Sequence, residues 1–179
     1  AATDELDETF YAFNTLSEAL KKTFKELQEK EAELSSHKQD LERLVESKTK
    51  ELQIYFKAVE QSGYSIIITD DYGNIEYINP AFTEITGYTK EEVLGKSPRF
   101  LLSDRQNADQ TKAMWDTLRR SEIWRGELSN RKKTGEYYWD YATISPVRNS
   151  DGKTTNFVSL QEDITRRKQT EEQLRNITE

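Results

Sequence analysis

The sequence contains the run Trp124-Arg-Gly-Glu-Leu-Ser-Asn-Arg-Lys-Lys-Thr-Gly-Glu-Tyr-Tyr-Trp-Asp140, which predicts two extended strands joined by a turn at Thr134-Gly135. Side chains alternate between the two faces of a strand, and one face of the first strand is mostly charged. That face should lie in water and the other in the core. The core face carries Trp124, Gly126, Leu128 and Asn130, and the water face carries Arg125, Glu127, Ser129 and Arg131. An amide in the core needs hydrogen-bond partners, and Asn130 finds them either in the protein's own backbone or in a bound ligand.

Composition narrows the classes of function open to this chain of 179 residues. A charged fraction of 33% with only 7 glycines and 3 prolines indicates a domain of ordinary size joined to a long polar helix. The absence of cysteine excludes disulfides, thiolate metal sites and cysteinyl adducts, and a single histidine provides no histidine cluster for a metal. The net charge of -7 argues against a nucleic-acid partner. No apolar run approaches the roughly 20 residues of a membrane span, so no direct membrane contact is expected.

A heptad repeat free of proline and glycine extends from Leu6 to about Val59. One core position of the repeat is filled by Leu6, Phe13, Leu20, Leu27, Leu34 and Leu41. The position four residues later is apolar at Phe10, Phe24, Val45, Leu52 and Val59 and charged at Glu31 and Lys38. A helix of about 50 residues is about 75 Å long, more than a small domain covers, so residues 1–54 are predicted to form a parallel homodimeric coiled coil. The alternative is a single amphipathic helix packed along the domain.

The first residues of this helix resemble the second helix of HAMP domains, the relays that follow a membrane span in bacterial receptors. Asp4, Glu5, Phe13 and Asn14 match that pattern, whereas Asp7 and Leu16 stand where HAMP helices often carry Gly and Met. The resemblance implies that the chain is the cytoplasmic portion of a receptor anchored in the inner membrane.

Beyond Val59 the pattern changes to short strands and helices. Short helices are predicted to begin at Asn79-Pro80 and at Thr89, where a capping box starts, and a longer helix covers about Asn107–Ser121. The predicted strands are Tyr64–Asp70, Ile75–Asn79, the two strands of the run quoted above, and Asn156–Ile164. Two strands, then helices, then three strands predict an α+β fold, a five-stranded antiparallel sheet with helices on one face.

This order of elements resembles that of PAS domains, the bacterial sensor modules, over nearly all of Gln53–Thr165. The resemblance is carried by Ile68-Thr-Asp70, Gly73-x-Ile75, Asn79-Pro-Ala-Phe82, Thr86-Gly-Tyr88, Glu92-Val-Leu-Gly95, Trp124-x-Gly126, Asn130-Arg-x-Lys-x-Gly135, Trp139, Pro146-Val147, Asp151-Gly152 and Asp163-Ile-Thr165. It implies a PAS fold with a sensor domain at residues 55–165 and a short signalling helix at residues 166–179 that leads to an output domain.

By this resemblance the chain is a signal-transduction module of a bacterial receptor of the histidine kinase or diguanylate cyclase type, one that senses redox state, oxygen or a small ligand. No nucleophile–base pair, metal cluster or phosphate-binding glycine loop is evident, so the chain itself is not expected to be an enzyme. The alternative is a cofactor-free PAS domain that acts only in dimerisation and signal coupling.

The cofactors of the PAS family make different demands on the sequence. Haem binding of the oxygen-sensing type needs an axial histidine on the long helix, and residues 107–121 contain none. The light-oxygen-voltage (LOV) subfamily forms a flavin adduct on a cysteine, and Pro98 stands in its place. The flavin-ring amides of that subfamily align with Asn130, Asp140 and Gln161, but its FMN-phosphate arginine aligns with Trp115, which cannot pair with a phosphate.

Ala113-Met-Trp115 and the run from Trp124 to Lys133 resemble flavin-binding PAS domains of the nitrogen-fixation redox regulator type. The resemblance implies that Trp115 and Asn130 contact FAD. The full set of candidate cofactor-binding residues is Asn130, Trp115, Gln161, Trp124, Asp140 and Arg99, and both Arg99 and Arg105 are candidates to hold a pyrophosphate. The alternatives are an unidentified small ligand and an empty core, in which the tryptophans pack against the sheet, Asn130 bonds the backbone, Gln161 is solvated, and Arg99 and Arg105 cap helices.

Overall fold

The computed structural model describes residues 2–178, with side chains described for residues 9–177. The side chains of Leu6 in the heptad repeat, and of Asp4, Glu5 and Asp7 in the HAMP-like stretch, lie outside the described residues. The chain forms two compact units, Ala1–Ile54 and Tyr55–Glu179.

The first unit belongs to the long helix α1, Ala2–Glu60. The predicted N-terminal helix is therefore confirmed. Its seam side chains are open to solvent in the single chain, with Leu27 53% and Leu34 70% exposed. Pairing of two such helices stays a prediction.

The second unit contains a five-stranded antiparallel sheet and several helices, and this α+β fold confirms the prediction. The strands are β1 Ser65–Asp70, β2 Ile75–Ile78, β3 Trp124–Arg131, β4 Tyr137–Arg148 and β5 Thr154–Asp163. The helices are α2 Pro80–Thr86, α3 Lys90–Val93, a 3-10 helix Pro98–Leu101, α4 Ala108–Arg119 and α5 Thr165–Thr178.

The strand order is β2-β1-β5-β4-β3, so the last strand lies in the middle of the sheet. Strand β5 pairs with both β1 and β4, which places Gln161 opposite Ser65 and Ala142. Two residues earlier, Ser159 lies opposite Ile67 on β1. Since opposed residues of antiparallel strands share a face, the inner faces of four strands form one continuous surface.

The predicted helix boundaries rest on local capping. Asn79 precedes α2, and its Oδ1 accepts a hydrogen bond from Phe82 N at 3.2 Å. Gly87 ends that helix in the left-handed conformation, with φ 78°, which glycine adopts without strain. At α3 the Glu92 carboxylate accepts from Thr89 N at 3.0 Å and completes the predicted capping box.

The apolar core has two parts. One cluster contains Ile67, Ile75, Ile78, Phe82, Val93 and Leu101, and the other contains Met114, Leu118, Trp124, Leu128 and Ala142. Residues of both clusters line a single cavity, which therefore lies between them.

Ser129 is fully buried, although the alternation of β3 predicted that it faces water. The segment 102–106 runs along the outer edge of β3: Ser103 N donates to Ser129 O at 2.9 Å, and Ser129 N donates to Gln106 Oε1 at 2.6 Å. The two serine hydroxyls lie 2.7 Å apart. This segment covers backbone groups that an edge strand would otherwise leave unpaired. The prediction was wrong because the covering segment has no periodic pattern.

Candidate functional site

A cavity of about 480 Å³ lies between the inner face of the sheet, the 3-10 helix and α4. Its volume is in the range of small-molecule sites. The sheet contributes Ile67, Thr69, Leu128, Asn130, Ile144, Phe157, Ser159 and Gln161, and the helical side contributes Pro98, Arg99, Leu101, Leu102, Met114, Trp115 and Leu118. The walls are thus mainly apolar, with a few polar groups on the sheet.

Asn130 lies on the inner face of β3 and is 1% exposed. Its Nδ2 donates a hydrogen bond to Asp140 Oδ2 at 2.7 Å, across the pair of strands β3 and β4. Its Oδ1 has no hydrogen-bond partner among the described residues. The inward amide therefore bonds a side chain rather than the backbone, and it leaves one acceptor unused beside the cavity.

Asp140 is fully buried next to Asn130 but does not line the cavity. Burial raises the pKa of its carboxyl to about 7; the hydrogen bond from Asn130 opposes this shift, and the nearby charge of Asp163 adds to it. Oδ1 of Asp140 and the hydroxyl of Tyr138 also have no partner within the described part of the chain. Burial, followed by the charge of Asp140, raises the pKa of Tyr138.

Gln161 and Ser159 bring polar groups to the cavity from β5. Ser65 Oγ donates to Gln161 Oε1 at 3.3 Å, and Ser159 Oγ is buried without a partner among the residues described. Ser159 was not among the predicted site residues. The alternation of β5 held the signal, because a strand that turns Gln161 inward also turns the residue two positions earlier inward.

Trp115 and Arg99 meet on the opposite side of the cavity. The Arg99 guanidinium lies 4.3 Å from the centroid of the Trp115 ring, a cation–π contact. Trp115 is only partly buried, in contrast to Met114 and Leu118 on the same helix. It packs against the apolar cluster of Met114 and Leu118 and also lines the cavity. Arg105, the other arginine of this region, stacks on Tyr137 at 3.9 Å and is not among the cavity residues.

The structure brings four of the six candidate residues together, Asn130, Trp115, Gln161 and Arg99. Trp124 and Asp140 do not line the cavity. Trp124 packs in the apolar cluster with Met114 and Leu118, and Asp140 lies behind Asn130 and bonds its amide.

The described residues contain no group of three or more His, Cys, Asp or Glu side chains placed to hold a metal ion. No described helix combines the length and the apolar character that a membrane span needs.

The model of the PAS domain family matches residues 63–166, more than half of the chain. The chain therefore belongs to the PAS domain family, and it is a sensory domain of the PAS and light-oxygen-voltage type.

Among curated proteins, the nitrogen fixation regulatory protein of Klebsiella oxytoca is 37% identical over 123 residues, which cover 69% of this chain and 25% of that protein. The blue-light-activated histidine kinase of Brucella canis is 34% identical over 111 residues, covering 60% of this chain and 23% of the kinase. The chain thus spans about a quarter of the length of the relatives it matches.

Two solved structures share the fold. An RNA-binding light-oxygen-voltage receptor superposes with a TM-score of 0.64 at 28% identity, over 70% of this chain and 36% of the receptor. The light-oxygen-voltage domain of a blue-light-activated histidine kinase from Erythrobacter litoralis superposes with a TM-score of 0.56 at 26% identity, over 59% of this chain and 99% of that domain.

Proposed function

We propose that this PAS domain is a ligand-binding sensor whose cavity takes a flavin, with FAD as the first candidate. One observation carries the proposal: the cavity has apolar walls, yet Asn130 Oδ1 and Ser159 Oγ beside it are buried and unpartnered within the described residues. Buried polar groups in native proteins nearly always have partners. A ligand with polar groups at matching positions would supply them.

The donors and acceptors present fit the edge of a flavin ring. That edge alternates carbonyl and N–H groups, so it needs both donors and acceptors from the protein. Asn130 Oδ1 is an available acceptor, and the Ser159 hydroxyl and Gln161 amide can donate. Trp115 offers a ring face on the opposite wall, and Arg99 beside it suits a pyrophosphate.

A bound flavin would supply a ring that changes the protonation of its edge when its redox state changes. The residues of this chain would then respond through their own hydrogen bonds. Gln161 is placed to pass such a change on, because it lies on the central strand and is bonded to Ser65 of the neighbouring strand β1. The apolar walls would keep water away from the ring edge and strengthen these bonds.

The test of this proposal is the absorption spectrum of the purified chain, recorded before and after incubation with FAD. A visible flavin band that stays with the protein through gel filtration supports it. A chain that remains colourless after incubation and takes up no FAD contradicts it.

A second function, coupling without any cofactor, is favoured by the contacts at the two ends of the domain. Asn79 is buried, and its Nδ2 donates to Val59 O at 3.1 Å in the last turns of α1 and to Tyr64 O at 2.9 Å. Its Oδ1 accepts from Ile66 N at 2.9 Å on β1. One side chain therefore joins the end of α1 to the sheet and, through its cap, to α2.

The C-terminal helix is tied to the sheet in a similar way. Thr165 Oγ1 accepts from Trp139 N at 3.0 Å, and Asp163 Oδ1 accepts from Thr165 N at 2.9 Å. On α5 itself, Lys168 pairs with Glu127 of β3 at 2.5 Å. These contacts favour transmission of a strand or helix movement from one end of the domain to the other, whether or not the cavity is filled.

We further propose that α1 pairs with a second copy in a parallel coiled coil and that the chain is the cytoplasmic part of a membrane-anchored receptor with an output domain after α5. The exposed seam of α1 supports the first part, and the HAMP-like residues Phe13 and Asn14, with the kinase relatives, support the second. Membrane fractionation of the tagged parent protein tests the anchoring: recovery in the soluble fraction alone contradicts it.

A further inference from the structure

Three of the four buried side-chain atoms without a partner among the described residues belong to one cluster. They are Asn130 Oδ1, Asp140 Oδ1 and the Tyr138 hydroxyl. Asn130 lies opposite Tyr138 in the strand register and is bonded to Asp140. All three side chains are at most 1% exposed. Only Asn130 reaches the cavity.

The hydrogen bond from Asn130 to Asp140 constrains which end of the Asn130 amide faces the cavity. A charged carboxylate only accepts hydrogen bonds, so a charged Asp140 must face the NH₂ end of Asn130. The carbonyl end then remains for the cavity. A protonated Asp140 carries an O–H that can donate to the carbonyl end, and this allows the amide to turn its NH₂ end to the cavity.

We propose that Asp140 is a positioning residue that sets, through its hydrogen bond to Asn130, whether the cavity presents an acceptor or a donor to its ligand. This inference rests on the proposed function, because it assigns to Asp140 control of the same site. With Asp140 charged, the site selects heteroaromatic ligands with an N–H at the edge that meets Asn130. With Asp140 neutral, it favours a carbonyl or ring nitrogen there.

The surroundings of Asp140 allow both protonation states near neutral pH. The group whose charge acts on it is Asp163, opposite it on β5, and Tyr138 on its own strand is neutral. On β3 it faces Asn130 and Leu128, neither of which is charged. No Lys, Arg or His pairs with Asp140 within the described part of the chain. The pKa of about 7 that burial gives this carboxyl agrees with the geometry.

The first experiment is NMR on the ligand-free full chain. The carboxyl carbon of Asp140 and the side-chain amide of Asn130 are followed through neutral pH, with Asn130→Ala used to assign the amide. We expect both to titrate with one midpoint and the Asn130 amide protons to exchange faster with water below it. The proposal is overturned if the Asn130 amide signals do not change while Asp140 titrates. This measurement needs no substitution of Asp140.

Asp140→Asn and Asp163→Asn form a matched pair. Both remove one acid of the same face, but only Asp140 bonds Asn130. We expect Asp140→Asn to abolish the titration of the Asn130 amide. Asp163→Asn should keep that titration and move its midpoint to lower pH, because it removes a neighbouring negative charge. The proposal is overturned if the Asn130 amide stops titrating in Asp163→Asn but still titrates in Asp140→Asn.

The second experiment measures binding of lumiflavin and of 3-methyl-lumiflavin, which lacks the ring N–H. Above the midpoint the methyl analogue should bind at least about tenfold more weakly, since Asn130 Oδ1 is left unpaired. The ratio of the two dissociation constants, 3-methyl-lumiflavin over lumiflavin, should fall toward one at pH values below the midpoint of the Asp140 titration. It should also be close to one in Asp140→Asn. A ratio that does not depend on pH overturns the proposal. If neither flavin binds, the proposed flavin function fails, while the NMR titration still decides the role of Asp140.

Discussion

The indole ring of Trp124 lies against the backbone of Gly126, so closely that a Cβ atom on residue 126 would come within 2.6 Å of the ring. The two residues are two positions apart on the inner face of β3, where side chains follow each other along the strand. The ring thus occupies the space that a side chain at position 126 would need. Trp124 joins the cluster of Met114, Leu118 and Leu128 in this position.

Gly126→Ala should therefore be destabilising for a steric reason. We expect a loss of about 1–3 kcal/mol in the free energy of unfolding, the usual cost of overpacking, measured by urea denaturation. Gly63→Ala is the matched control, because a Cβ atom there meets nothing within 4 Å, and its effect should stay within about 0.5 kcal/mol. Equal stability of Gly126→Ala and the wild type would show that the ring does not need this space.

Asn79→Ala should remove the hydrogen bonds by which one side chain connects the end of α1, the sheet and α2. Asn79 is buried and makes four hydrogen bonds, to Val59 O, Tyr64 O, Ile66 N and Phe82 N. We expect a loss of about 2–4 kcal/mol, since a helix cap and several buried partners are left unsatisfied. Asn149→Ala is the control: Asn149 also accepts two backbone hydrogen bonds, but in an exposed turn. Similar losses in the two variants would contradict the special role of Asn79.

Local signals in the sequence predicted the elements of this domain well. Asn79 and Gly87 are the cap residues that their types suggest, and the alternation of β3 places Asn130 inside. These features depend on neighbouring residues only. The alternation of β5 likewise predicted that Gln161 faces inward, and Gln161 is buried.

Contacts between distant segments were not available from the sequence. The bond from Asn130 to Asp140 depends on the register of β3 and β4, and the burial of Ser129 depends on a segment 26 residues earlier. The packing of Trp124 against Met114 and Leu118 of α4 likewise joins residues that are apart in the sequence. Such pairings follow from the assembled sheet and not from any pattern along one strand.

The stability of the domain should depend on pH through Asp140. Its pKa rises from 3.8 to about 7 in the folded state, so the native chain holds a proton that the unfolded chain has released. The stabilisation that this proton gives the folded state is complete below about pH 4 and is lost as the pH rises through about 7. The free energy of unfolding, from urea denaturation at fixed protein concentration, should fall by up to about 4 kcal/mol over that range.

Asp140→Asn is neutral at every pH and should lack this fall. Asp151→Asn, a change at an exposed turn residue, should keep it. A wild-type profile that runs parallel to that of Asp140→Asn between about pH 4 and about pH 7 would show that Asp140 is charged in the folded chain throughout.

Arg99→Ala should weaken FAD binding, whereas Arg105→Ala should not. Both arginines are exposed and both stack on an aromatic ring, but only Arg99 lines the cavity. Loss of a charge-assisted contact to a phosphate costs about 1.5–3 kcal/mol, which is a rise in Kd of roughly tenfold or more. Fluorescence titration of FAD measures it. Equal affinities of the two variants would place the pyrophosphate away from Arg99.

The pairing of α1 is tested by charges placed on its seam. Leu27→Asp combined with Leu34→Asp puts two carboxylates at positions that are exposed in the single chain and that a parallel partner helix would bury. Burial of unpaired charge is costly, so we expect sedimentation to show a dimer for the wild type and a monomer for the double variant. Ala19→Asp combined with Ala32→Asp adds the same charge outside the seam and should leave the dimer intact. A dimer that survives the seam changes would mean that another surface joins the two copies, and the signal would then have to enter the domain by a route other than a paired α1.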